Sequence, residues 1–159
     1  MKYMIINLAL LLLFAGCADK NAFSRFHMKE EQELGAVNLQ NSELKNSDGD
    51  IKGIISVVYL NNVYPKKYVD YEYFYIYFYL NDKKDIQNIN FMLKLNNKLP
   101  ISVKELSNTN EFSKLTSTQN RWNKYYLVKF NEDKNTTIKF EMTDEDLSSN
   151  PMFYYKDEE

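Results

Sequence analysis

The spacing of apolar residues changes twice along this chain. Residues 4–16 form a near-continuous apolar run of about 13 residues behind a short basic start at Lys2. A membrane-crossing helix needs about 20 such residues, so the run has the length of a secretion-signal core. Residues 18–50 are polar and poorly periodic. Phe26, Leu34, Val37 and Leu44 are too sparse there to build more than a short helix near residues 28–39. Read as a flexible tether, about 30 residues reach roughly 30 Å root-mean-square.

From Ile51 the period becomes two. Residues 53–60 and 71–80 are rich in β-branched and aromatic side chains, the composition of strands. Residues 89–95 alternate, with Ile89, Phe91, Leu93 and Leu95 on one face. Asn96 and Asn97 tolerate positive φ, which predicts a tight turn into a strand at 101–106. Residues 122–130 and 136–142 predict a second hairpin across 131–135. Residues 143–146 read as a capped turn and 152–155 as a last short strand. Six or seven short strands with hairpin links predict an all-β fold. The expected form is an antiparallel β-sandwich, immunoglobulin-like or open-barrel, over residues 51–159. Residues 1–16 would be the signal and 17–50 the tether.

Composition then removes several classes of function. The chain has 159 residues, a formal net charge of −2 and a sequence pI near 5.6, without the basic field of a nucleic-acid binder. A mean hydropathy of −0.54 excludes a polytopic membrane protein. A single Cys cannot form an internal disulfide, and one Cys with one His cannot assemble a structural zinc set. No metal and no cofactor is expected.

The apolar run ends in Leu13-Phe14-Ala15-Gly16-Cys17, which resembles the lipobox of bacterial lipoproteins. A basic start, an apolar core, two small residues and then the chain's only Cys carry the likeness. It departs from the usual pattern in placing Phe14 where that family has Leu. The resemblance implies cleavage before Cys17, a thioether-linked diacylglycerol on its sulfur and a further acyl chain on its amine. Two or three chains, each contributing about 0.8 kcal/mol per buried methylene, hold a protein on a membrane essentially permanently. Ala18 lacks the Asp that keeps enteric lipoproteins in the inner membrane, so the resemblance implies the outer membrane, the outer leaflet of the inner membrane being the alternative. The body of the chain also resembles the small envelope lipoproteins of Gram-negative bacteria.

Catalysis fits the residues poorly. Lipid would consume the Cys17 thiol, and His27, the only imidazole, lies in the tether. Gly16, Gly35, Gly49 and Gly53 make no phosphate-cradling loop. A paired-carboxylate site stays open, because any two of 22 acids can meet in the fold. Asn46, Asp48 and Asp50 mimic alternate positions of a calcium loop, but Val57 stands where the bidentate Glu belongs.

The most unusual feature is a stripe of Tyr71, Tyr73, Tyr75, Tyr77 and Tyr79 on one face of a strand, with Phe74, Ile76, Phe78 and Leu80 on the other. Two readings stand: a central strand covered on both sides, or a tyrosine platform for a partner. The 61–68 loop would sit at one end of it. Asp133-Lys134-Asn135-Thr136-Thr137 resembles the extended acceptor motif of bacterial N-glycosylation, which makes Asn135 a candidate modification site.

The expected function is a non-catalytic accessory protein of the outer membrane. It would bind the membrane through the lipid on Cys17, and an envelope protein through its folded domain. A lipid- or glycan-binding carrier is the first alternative and a hydrolase the second. A concave apolar cavity would favour the carrier, a filled core with an exposed patch the protein partner.

Overall fold

The computed structural model describes residues 30–81, 91–116 and 120–156. The period-two segments are strands, and every pairing is antiparallel. In chain order the elements are α1 (Glu30–Val37), β1 (Leu39–Lys45), β2 (Ile51–Tyr59), α2 (Leu60–Val63) and β3 (Tyr71–Leu80). There follow β4 (Met92–Leu95), β5 (Ser102–Leu106), β6 (Lys124–Asn131), β7 (Thr137–Thr143), β8 (Ser148–Ser149) and β9 (Met152–Tyr155). They form one sheet in the order β4-β7-β8-β1-β2-β3-β6-β5, with β9 paired to β7.

Two short links show that this sheet is strongly curled. β4 and β5 end the order, seven strand spacings apart, which is about 34 Å in a flat sheet. The chain joins them through residues 96–101, which extend at most about 25 Å. Residues 132–136 likewise join β6 to β7 across five spacings. The fold is all-β, and of the two forms expected it takes the open barrel: a curled, half-closed sheet around one interior.

The local signals were sound and their partners were not. Asn96 and Asn97 do take positive φ (47° and 65°), and Leu95 and Lys98 exchange backbone hydrogen bonds at 2.9 Å. Beyond that turn, however, β5 pairs with β6 and β4 with β7, so neither expected hairpin forms. A turn residue fixes the local backbone angle; it does not say whether the next strand returns to the same edge or crosses the opening.

The fold also begins earlier than Ile51. β1, inside the stretch read as tether, pairs along its whole length with β2. Its polar residues act as sheet glue. Gln40 donates its side-chain amide to the Phe153 carbonyl and accepts from the Phe153 N–H at 3.2 Å, standing in for a missing backbone ladder between β1 and β9. Ser42 accepts from the Asn150 N–H at 2.8 Å. Polarity in sequence therefore concealed a strand whose side chains pair with backbone.

Inside the curl, Phe74 has ring neighbours Tyr59, Phe130, Phe140 and Tyr154 at centroid distances of 5.1 to 5.8 Å. Those rings come from β2, β3, β6, β7 and β9, so side chains from around the sheet meet in the middle. Gly53 is dictated by packing: a Cβ there would stand 2.2 Å from the Tyr79 carbonyl oxygen. The outer face carries a second, smaller core. Residues 107–116, α1 and α2 fold over β2, β3 and β6, bringing Phe112 and Leu115 onto Val58, Tyr75 and Tyr125.

Candidate functional site

The tyrosine stripe divides into core and surface. Tyr75 is 0% exposed and Tyr77 7%, both inside the outer cluster, whereas Tyr79 is 42% exposed. Tyr75 and Tyr77 are therefore packing residues, a correction to the platform reading. The reason is the cover segment, whose Phe112 ring sits 5.2 Å from Tyr75. Tyr71 and Tyr73 are half-buried at the other end, and the Lys129 ammonium lies 3.4 Å from the Tyr71 ring centroid and 5.5 Å from that of Tyr73. Tyr79 pairs across the sheet with Ile54, itself exposed.

The structure also brings two carboxylates together, at one end of the barrel. Glu72 and Asp133 are both buried. One Glu72 oxygen accepts from the Asp133 N–H at 3.0 Å and from the Lys156 ammonium, and the other from the Tyr59 hydroxyl at 2.5 Å. Asp133 accepts from the Asn135 N–H at 3.0 Å and its side-chain amide at 2.6 Å, and pairs with Lys98 at 3.0 Å. Burial pushes the Asp133 carboxyl up. The hydrogen bonds from Asn135, Lys98 and Asn96 outweigh that and hold it at about 2.

This pair has two lysines beside it and a hydrogen bond on every carboxylate oxygen. Such an arrangement is a lock: it ties β2, β3, the β6–β7 link, the turn after β4 and Lys156 behind β9 into one closure. The sequence did carry a signal for it. Glu72 shares the inward face of β3 with Phe74, Ile76, Phe78 and Leu80, and a charge on a core-facing position needs a buried partner.

Asn135 is exposed, but its amide is bonded to Asp133, the acid of the acceptor motif, which is itself buried. The loop thus has a structural account as an Asx turn. The 46–50 segment is the polar turn between β1 and β2: Asp50 donates its N–H to Asn46 at 2.7 Å and pairs with Lys52 at 3.1 Å. Val57 is fully buried in β2. Among the described residues no three of His, Cys, Asp or Glu gather as metal ligands, and no helix is long and apolar enough to cross a membrane. Cys17 and His27 lie outside the described residues. No family model, curated protein or solved structure matches this chain.

Proposed function

We propose that this protein is a non-catalytic accessory of the bacterial outer membrane, anchored by lipid on Cys17, whose folded domain binds another envelope protein. The anchor rests on the lipobox-like Leu13–Cys17 segment. The observation that carries the rest is the filled barrel. Aromatic rings from five strands occupy the interior that a lipid or glycan carrier would keep open. Apolar side chains left at the surface, among them Ile54, Ile101 and Trp122, are instead available to a protein surface.

The test is crosslinking in living cells. A photoreactive residue is placed in turn at Ile54, Ile101 and Trp122 of the full chain, and the adducts are sequenced. A discrete envelope protein captured from at least one position, in proportion to its expression, is the expected result. No adduct from any of the three would remove the proposal.

A further inference from the structure

We infer that the outer edge of β5 is the docking site, and that the partner adds there an extended segment alternating between acidic and apolar residues. This rests on the protein-binding function proposed above and names its surface. Three observations converge. β5 ends the sheet, and among the described residues its strand partner is β6 alone, so no described strand bonds the backbone N–H and C=O groups of its other edge. Leu99, Ile101 and Val103 are 59, 48 and 43% exposed, a run of alternate apolar residues leading into that strand. Val103 lies on the inward face, opposite the buried Val128. The third observation is charge. On the outward face Lys104 stands opposite Leu127, and Lys129 opposite Ser102. The Lys104 ammonium meets no carboxylate among the described residues, whereas the Lys129 ammonium lies over the Tyr71 and Tyr73 rings of β3 and Glu105 is already paired with Lys124 at 3.0 Å.

An added strand turns successive side chains to opposite faces of the sheet. Here an acidic side chain on the outward face would meet Lys104. The inward ones would meet Ile101 and Val103. Backbone pairing supplies affinity and the alternation supplies selectivity. A second copy of the chain fits less well. Antiparallel self-pairing about a two-fold axis sets each face against itself, and the outward face of β5 holds only Ser102, Lys104 and Leu106. Lys104 would then meet Lys104 of the other copy or a neutral residue, and like charges directly opposite are destabilising.

The experiment uses the full-length lipidated protein in detergent micelles and a labelled nine-residue peptide alternating Glu and Val, read by fluorescence anisotropy. Saturable binding is expected. Lys104→Glu should weaken it at least tenfold at unchanged melting temperature, while the Lys104→Arg protein retains it. A Lys–Val peptide should bind at least tenfold more weakly. The Glu–Val peptide N-methylated throughout keeps its charges but cannot donate to an edge, and should not bind. Binding by the methylated peptide, indifference to the charge variants, or no binding of the Glu–Val peptide would each overturn the inference. So would a dimer in sedimentation that Val103→Glu dissolves, because the edge would then belong to a second copy. In-cell adducts from Ile54 or Trp122 with none from Ile101 would keep the proposed function and remove this surface.

Discussion

The Tyr75 ring lies 5.2 Å from that of Phe112, tilted by 36°, although the two residues sit 37 positions apart on a strand and an irregular segment. That contact decides what the tyrosine stripe is. Phe112 belongs to residues 107–116, which leave β5 and turn back over the outer face, pinned by the Asn110 side chain accepting from the Phe112 N–H at 2.9 Å. The Tyr75 hydroxyl in turn accepts from the Asn110 side-chain amide at 3.5 Å. Burial pushes the Tyr75 phenol up to about 12, so it is protonated at neutral pH.

Tyr75→Ala and Tyr77→Ala should both destabilise the protein, Tyr75→Ala by about 3–5 kcal/mol, the usual cost of deleting a large buried ring. Tyr79→Ala, at the exposed end, should stay within about 0.5 kcal/mol of wild type. Urea melts of the three variants check the order. Equal losses at Tyr75 and Tyr79 would mean that the cover segment does not protect the middle of the stripe.

Phe78 tests the inner face. Its ring packs 5.5 Å from Phe91 and stacks at 5.8 Å and 7° on Tyr126, and the residue is buried. Phe78→Ala should cost about 3–5 kcal/mol in the same melts, a large share of a domain's net stability. A loss below about 1 kcal/mol would reverse the assignment of the two faces of β3.

The two faces of β3 show how much the sequence discloses. Period two placed Phe74, Ile76, Phe78 and Leu80 inside, and all four are buried. The same pattern left Tyr75 open between core and surface, because the answer depends on Phe112, a residue in a segment with no periodicity at all. β1 was illegible for a related reason: Gln40 and Ser42 hold neighbouring backbone with their side chains, and such pairing leaves no apolar trace. The buried pair was half legible. Glu72 stands out on an apolar face, but its partners Asp133 and Lys156 are 61 and 84 positions away, and only the curl of the sheet brings them together.

Asp133 gives the lock a pH signature. Its folded-state carboxyl sits at about 2 against an ordinary 3.8. A depressed carboxylate stabilises the fold above its unfolded value and loses that contribution as pH falls toward its folded one. The shift corresponds to about 2 kcal/mol, fully present above about pH 4.5 and largely lost near pH 2. Asp133→Asn should therefore melt well below wild type at pH 6, and the gap between them should narrow steadily from pH 4 downward. A gap that stays constant over that range would show that the carboxylate's charge contributes nothing and that only its hydrogen-bonding shape matters.

Attachment to the membrane is the remaining expectation with a direct test. Leu13-Phe14-Ala15-Gly16-Cys17 resembles a lipobox, and in that chemistry the sulfur of the Cys is the atom that takes the diacylglycerol. Serine keeps the size of the side chain but removes the nucleophilic sulfur, so Cys17→Ser should accumulate as an unlipidated, uncleaved precursor. One acyl chain gives marginal binding and two or three give essentially permanent binding, so the variant should be absent from the outer-membrane fraction rather than merely reduced in it. Cells fed an acyl-chain probe should label the wild-type protein and leave the variant unlabelled. The wild type should then sediment with outer membranes and shift in mass at Cys17 by the lipid it carries. Equal labelling of both proteins would show that the acyl group sits elsewhere and would remove the lipoprotein reading, with the outer-membrane placement that depends on it.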